Sequence, residues 1–342
     1  MNKLFVLILS LLYLDFCFAQ ETINLPVANV KSKYDTIYIT DLSKKLGLYI
    51  NSVTKQNVLK FKDVATGDKL KLHPNGQTDL GIGFNYKWLK LGVAFGVPFF
   101  DKDNGKYGET KRLDFQLNVF MRALGVDAYY QKYTGFYLNN PDDYVDSVYS
   151  ELPNLSDMET ITFGLSAYHF FNNRKFSYQA AYVRNTIQKK SAGAFILGGF
   201  LNIYSAYSPN GFVPEELPDS IKDNYPFRGF ETNILGISTG YTYTYVILKQ
   251  LFMNASFVPS LGLRFSEIKR KDETEILTPM LTAACTLRFS VGYEGKFFYA
   301  GVKSISFISA YNYDVIDISS TTGNLRFYIG KRFNSSLRRR KN

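Results

Sequence analysis

The strongest constraint on this chain is a strict alternation of apolar residues with small or polar ones, kept up over long runs. From Leu281 to Val291 every odd position is apolar, and every even position is Thr, Ala, Arg or Ser. Similar runs occupy 79–88, 112–122, 160–167 and 256–265. Because successive side chains of a strand point to opposite faces, each run predicts a strand with one apolar face and one small or polar face.

The alternation predicts about twelve strands, within a range of ten to fourteen, many of them longer than ordinary strands. Strands of globular proteins usually have about 5–6 residues, whereas a tilted strand that crosses a membrane needs about 9–11. The length therefore favours spanning strands. The predicted spans are 78–88, 89–98, 111–122, 125–138, 158–171, 176–185, 193–206, 229–246, 250–265, 277–293, 296–308 and 319–333.

Connections between these strands fall into short turns and long polar loops, which is the usual arrangement of outer-membrane barrels. The long loops are predicted at 99–110, 139–157, 207–228, 266–276 and 309–318. The alternation of short and long connections fails near 186–192 and 207–228, where two longer ones follow each other. One segment is therefore miscounted, or one of the short-turn connections is long.

An all-β, antiparallel transmembrane β-barrel is the fold class that this pattern favours. Only helices and closed barrels satisfy every backbone polar group in lipid, and the apolar faces carry almost no charge. Aromatic residues at strand ends suit the girdles of such barrels. The alternative is a soluble β-protein, in which these are ordinary strand aromatics. The aromatic residues concerned are Tyr86, Trp88, Phe170, Phe171, Tyr241, Tyr243 and Tyr245.

The N-terminus predicts export. Lys3 precedes an apolar run from Leu4 to Leu14, and a small-x-small site ends at Ala19, as in a cleaved signal peptide. The predicted organisation is a signal peptide 1–19, a periplasmic lead-in 20–45, a barrel domain 46–333 and a basic periplasmic tail 334–342. Segments 46–53 and 57–63 form either a hairpin or extra barrel strands. The last barrel strand ends on an aromatic residue, Phe333, which resembles the assembly signal of such barrels.

Charge and cysteine content narrow the function classes. The chain has 40 Lys and Arg against 30 Asp and Glu, a net charge of +10, and four of the basic residues lie in the tail at 338–341. Export argues against nucleic acid as the partner of this surplus. Cleavage would leave Cys285 as the single cysteine, which cannot form an intramolecular disulfide. It lies on the apolar face of its strand, and we expect it to face lipid.

Four segments resemble an uncharacterised outer-membrane family of the Bacteroidetes, the domain-of-unknown-function family forty-four twenty-one. They are Tyr34–Ile39, His73–Asn75 with Leu80–Leu89, Gln188–Gly193 and Gly240–Tyr243. The similarity extends over 34–333, and the motif near 80–89 is its most specific part. The resemblance implies a barrel and export, and it implies no activity.

The sequence is poor in residues for catalysis or metal binding. It has two histidines, His73 and His169. A Ser-His-Asp arrangement needs a histidine between nucleophile and carboxylate, and Ser166 and His169 are three apart, on opposite faces of one strand. We predict no cofactor, no metal site and no enzymatic activity.

Charged residues on the small or polar faces are candidates for the barrel lumen, where they could form an ion-pair plug or line a narrow, porin-like pore. A barrel of about twelve strands lies between small filled barrels and the 16-stranded porins. The candidates are Asp79, Arg112, Asp114, Arg122, Glu231, Arg264 and Arg288.

Three functions are compatible with this reading. The first is a structural or binding barrel without turnover, the second a channel for small or hydrophobic solutes, and the third an integral outer-membrane lipid hydrolase. The expected partners are outer-membrane lipid and, during insertion, the barrel-assembly machinery. The sequence identifies no specific ligand.

Overall fold

The computed structural model describes residues 34–76, 78–86, 89–96, 104–144, 151–313 and 316–334. The predicted signal peptide, most of the lead-in, Trp88 and nearly all of the basic tail lie outside the described residues. Among the described residues, no helix is long and apolar enough to span a membrane.

The described chain is mostly strand, and twelve of its strands have eight or more residues. The strands are β1 (Ile39–Asp41), β2 (Lys45–Asp63), β3 (Lys69–His73), β4 (Thr78–Tyr86), β5 (Leu89–Gly96), β6 (Lys111–Phe120), β7 (Leu124–Leu138), β8 (Asn154–Phe170), β9 (Thr186–Gln188), β10 (Ala192–Tyr207), β11 (Gly229–Ile247), β12 (Leu251–Lys269), β13 (Thr274–Ile276), β14 (Met280–Glu294), β15 (Phe298–Tyr313) and β16 (Ile316–Asn334). The described residues also form three short helices and one 3₁₀ turn at Pro141–Asp143. The helices are α1 (Asn104–Tyr107), α2 (Tyr178–Tyr182) and α3 (Asp219–Asp223).

An antiparallel ring of ten strands closes the molecule. From β2 the ladders pass through β16, β15, β14, β12, β11, β10 and β8 to β7, and β3 joins β7 back to β2. The ring has two ends. The barrel starts at β2 and finishes at β16 at the end that has the three-residue turns 121–123, 248–250 and 295–297, which we call the turn end. The opposite end, where 208–228 connects β10 to β11, we call the loop end. One long connection, 171–191, also belongs to the turn end. The predicted all-β antiparallel barrel is confirmed.

On the turn-end side of β3, two neighbouring strands of the wall lack a ladder between them among the described residues. Here β4 pairs with β2, β5 with β4, and β6 with β7, but no ladder joins β5 to β6 in the part of the chain that is described. Residues Leu91–Gly96 of β5 are exposed on both faces. We call this boundary the β5–β6 seam.

Side-chain exposure follows the predicted alternation. Along β12, exposed and buried residues alternate without a break from Leu251 to Phe265. The exposed residues there are mostly large and apolar, such as Phe257 and Leu261, whereas the buried ones include Asn254 and Ser260. An apolar exterior around a polar interior is the arrangement of a barrel in lipid.

The pattern inverts toward the loop end. There the interior residues are apolar, as Phe61, Phe230 and Ile318 show, and the exterior carries charges such as Lys60 and Asp317. This is the arrangement of a water-soluble barrel. Strands of 15 to 19 residues exceed the length that crosses lipid, so their loop-end parts project beyond it.

Two sequence predictions are wrong, and a third is decided between its two alternatives. Residues 46–63 belong to the barrel wall as one strand, β2, so they form neither a hairpin nor two separate strands. Segment 176–185 is not a strand, because it contains α2 and lies inside the barrel. The predicted loop 309–318 is mostly strand, because Tyr311, Tyr313, Ile316 and Ile318 turn inward and pack in the loop-end core.

Candidate functional site

The lumen is closed at the turn end by the connection between β8 and β10, residues 171–191, which we call the turn-end plug. Every residue of α2 in this segment is buried. Its Tyr178 and Tyr182 pack with Phe120, Phe170 and other inward residues of the wall. β9 of the plug also pairs with β1, so the chain just before the barrel holds the plug in place.

Hydrogen bonds fix the plug to the wall on several strands. The hydroxyl of Tyr182 donates to the Asn254 Oδ1 at 2.7 Å, and the Lys303 Nζ donates to the Tyr182 carbonyl at 3.0 Å. The Ser290 hydroxyl donates to the Ala181 carbonyl at 3.0 Å. Buried polar groups need such partners. The three hydrogen bonds join the plug to three different strands of the wall, β12, β14 and β15.

Arg184 of the plug is buried and contacts several residues of the wall. Its guanidinium is 3.3 Å from the Glu294 carboxylate and lies over the rings of Phe252 and Tyr328. Arg332 binds the other oxygen of Glu294 and donates to the Arg184 carbonyl at 2.9 Å. Arg184 has a φ of 79°, an unfavourable backbone region for a residue with a side chain, so its buried contacts hold it there.

A second buried ion pair lies on the loop-end side of the plug. Arg288 on β14 pairs with Asp127 on β7, and both side chains are almost completely buried. The guanidinium lies within 5.7–5.9 Å of the ring centroids of Phe120, Tyr168, Tyr178 and Tyr182. Arg288 therefore joins two sides of the wall to the aromatic residues of the plug.

The loop end is closed by residues 208–228, the connection between β10 and β11, which we call the loop-end cover. Its Phe212 and Phe227 are almost fully buried. Phe61 of β2 lies against both rings, at centroid distances of 5.0 and 5.6 Å. Tyr225 also belongs to this core, and its hydroxyl donates to the Asp68 carbonyl at 3.2 Å. Burial raises the pKa of Tyr225 well above its ordinary value.

Between the two closures lies a polar cavity of about 140 Å³, which we call the central chamber. Lys55, Asp114, Lys303 and Arg326 line it, together with Gln116 and Asn118. Lys55 bridges two carboxylates, at 3.5 Å from both Asp79 and Asp114, and Arg112 binds the other oxygen of Asp79. The Arg326 Nε is buried without a hydrogen-bond partner among the described residues. The chamber reaches β5 and β6 at Gly92–Ala94 and Asp114–Asn118, so it lies directly behind the seam.

The predicted lumen residues divide into groups. Asp79, Arg112 and Asp114 come together around Lys55, whereas Arg288 pairs separately. Arg264 is buried and lies 5.0 Å from the Tyr311 ring centroid, with a 3.3 Å hydrogen bond to the Asn312 carbonyl.

Two of the predicted lumen residues lie elsewhere. Arg122 is half-buried in the turn after β6. Glu231 departs from the prediction, because it alternates with buried Phe230 and Thr232 and so lies on the outer face.

Other predicted residues also have defined positions. Phe170 is buried in the plug core, so it cannot belong to the outer girdle, whereas Phe171 is exposed. His169 is on the outer face near the turn end and His73 is on β3 toward the loop end. Cys285 lies on the outer face of β14, half-buried. No group of three or more potential metal ligands occurs in the described parts.

Sequence reasoning missed the residues that complete these networks. Arg326 follows the same alternation as the predicted residues and could have been found by it. Lys303 could not, because its face of β15 also carries Ile305 and Phe307. Asp127 could also have been assigned to the inner face. Arg184, in contrast, lies in a segment whose alternation indicated a strand, and no local pattern marks it as buried.

Comparisons with known proteins give one family and several distant structures. The family described as "Domain of unknown function (DUF4421)" matches residues 33–333. No curated protein matches the sequence. Similar solved structures include the outer membrane protease OmpT from Escherichia coli, with 10% identity and a TM-score of 0.41 over 86% of this chain and 98% of that one. The toluene transporter TodX of Pseudomonas putida has 9% identity and a TM-score of 0.30 over 84% and 90%. The translocator domain of the autotransporter NalP from Neisseria meningitidis has 8% identity and a TM-score of 0.35 over 84% and 88%.

Proposed function

The chain belongs to the family described as "Domain of unknown function (DUF4421)", and we propose that it is an outer-membrane barrel with a structural or binding role, without conduction or turnover. The observation that carries this proposal is the closure of both mouths. The turn-end plug and the loop-end cover each fill the lumen with buried aromatic residues. The central chamber between them is small enough to hold a few waters or one small polar group.

Outer-membrane placement is part of the same proposal. It is supported by the apolar outer band and by exposed aromatics near the turn end, among them Tyr241, Tyr243 and Tyr245. Such residues suit the interface between lipid and water. Export through a cleaved segment 1–19 belongs to the proposal and is tested by sequencing the N-terminus of the mature protein.

The absence of turnover is supported by the positions of the two histidines. Ser166 lies on the inner face of β8 and His169 on the outer face, so they cannot act together. His73 is near the Tyr137 ring, at a centroid distance of 6.0 Å. A lipid hydrolase with the usual base would need a histidine beside a nucleophile at one membrane face. Replacement of both histidines by Gln should leave any hydrolase activity of the preparation unchanged.

A channel for small or hydrophobic solutes is the second candidate, and the β5–β6 seam favours it. A gap in the ladder is unusual in lipid, where unsatisfied backbone groups cost several kcal/mol each. Both strands of the seam line the chamber, and Val93 and Phe115 are exposed on their outer face. A solute that passed between the two strands would bypass both closures.

Conductance in planar bilayers tests the main proposal. The full chain should give no steady current. Because the closures act in series, Phe212→Ala with Phe227→Ala should stay silent, and so should Tyr178→Ala with Tyr182→Ala. Only the combination of all four should leak. Heat-modifiable migration in gels verifies that each variant is folded, and a steady current through the folded, unmodified chain would overturn the proposal.

A further inference from the structure

Four lysines lie together on the outer face of the barrel near the loop end. Lys60 and Lys62 belong to β2, and Lys69 and Lys71 belong to β3. Lys60 is directly opposite Lys71 and Lys62 is directly opposite Lys69. We call these four residues the lysine patch.

Two like-charged pairs in direct opposition are unfavourable for the sheet. Directly opposed side chains have Cβ atoms about 4.5–5.5 Å apart, and like charges at this spacing destabilise the pairing. Among the described residues, no carboxylate lies within ion-pairing distance of any of the four ammonium groups. The fold therefore concentrates positive charge here without neutralising it.

The patch lines a groove on the outer surface, with a volume of about 500 Å³. Asn312 of β15 and Asp317 of β16 form its far side. Asp317 is opposite Lys62 in the ladder and accepts a 3.0 Å hydrogen bond from the Asn312 side chain. One carboxylate against four lysines leaves the groove strongly positive.

The height of the patch indicates what it meets. On the outer face of β2, Leu48 is apolar and exposed near the turn end, and Lys60 comes twelve residues later. With about 3.3 Å per residue and a tilt of about 40°, that is roughly 30 Å along the barrel axis. The apolar band of such barrels is about 25 Å tall, so the patch lies just beyond the band, at the level of lipid head groups.

We propose that the lysine patch binds the phosphate groups of a phosphorylated glycolipid in the outer leaflet. The proposal rests on the outer-membrane placement and is independent of whether the lumen conducts. Phosphate oxygens between opposed lysines would remove the repulsion within each pair. Lysine binds phosphate as a point charge, so two lysines from adjacent strands can share one group.

The test uses the full chain in neutral detergent micelles, titrated with diphosphorylated lipid A and with the same lipid after removal of its phosphates. Native mass spectrometry gives the affinity. Lys60→Gln with Lys71→Gln should weaken binding of the phosphorylated lipid by at least about tenfold, since each lysine near an anionic surface contributes about 1 kcal/mol. The control, Lys111→Gln with Lys271→Gln, removes two exposed loop-end charges outside the patch and should leave the affinity unchanged.

A second readout separates binding from folding. Without lipid and at low salt, Lys60→Gln with Lys71→Gln should raise the unfolding temperature, because a repulsive pair is removed. Equal binding of the dephosphorylated lipid, equal loss in both variants, or binding of inorganic phosphate as tight as that of the lipid would each overturn the proposal. A steady current from a sample that still binds the lipid would contradict only the closed lumen.

Discussion

For a single residue, the sequence predicts which face of its strand the side chain occupies, but it does not predict which residue that side chain meets across the lumen. Alternation assigns Arg288 to the interior, and it is buried there. Its partner Asp127 lies on β7, whereas the ladder neighbours of β14 are β12 and β15. Which residues meet across a lumen depends on strand number and shear, and the sequence of one strand contains neither. The Asp127–Arg288 pair could therefore not be predicted.

The same pair gives a prediction for stability. Asp127→Asn should lower the free energy of unfolding by about 3–5 kcal/mol, because it leaves the buried Arg288 cation without its counter-charge. Adding Arg288→Met should recover much of the loss, since both charges are then absent. Urea unfolding in detergent micelles measures both. The exposed Asp219–Lys222 pair is the control, and Asp219→Asn there should cost less than about 1 kcal/mol. Equal losses for the two Asn variants would contradict the structural role given to Asp127.

At the scale of elements, the sequence predicted most long strands and failed where two periodicities coincide. Tyr178 and Tyr182 are four residues apart, so they lie on one face of a strand and also on one face of a helix. Their rings lie 4.6 Å apart in α2. Residues 46–63 add one long strand to the predicted twelve and residues 176–185 remove one, so the number of long strands is again twelve. The inversion at the loop end explains why 309–318 read as a loop, since its Asn312 and Asp317 are on the outer face and face water.

Backbone exchange tests the most unusual element, the β5–β6 seam. β5 and β6 each have one ladder partner in the described chain, whereas β12 is paired on both sides. About half of the amides in β5 and in β6 should therefore exchange quickly with deuterium in micelles, because alternate N–H groups of a strand point to opposite neighbours. Amides in the centre of β12 should exchange slowly. Protection of β5 and β6 equal to that of β12 would mean that hydrogen bonds join the two strands across the seam. It would then remove the sideways route of the second candidate function.

At the scale of the whole molecule, closure depends on pairing of the first and last long strands. β2 and β16 pair along 19 positions, from Lys45 with Asn334 to Asp63 with Ile316. No local pattern predicts this register, because every period-two strand is compatible with several partners and a slip of two residues keeps all faces unchanged. The register follows from the ring as a whole, where both closures and both buried ion pairs have to form together.

A disulfide across this closure tests the register. In a chain whose Cys17 and Cys285 are replaced by Ala, Ile50→Cys with Ile329→Cys puts two thiols on directly opposed, outward positions. Opposed residues have Cα atoms about 4.5–5.5 Å apart, within the range that a disulfide requires. Mild oxidation of the folded protein should therefore give a covalent ring with altered mobility in denaturing gels, reversed by reductant. Ile50→Cys with Leu325→Cys is the control, since Leu325 is opposite Thr54 and is too far from position 50. If the control pair crosslinked and the first pair did not, β2 and β16 would be shifted by four residues, and the networks around Lys55 and Glu294 would have to be reassigned.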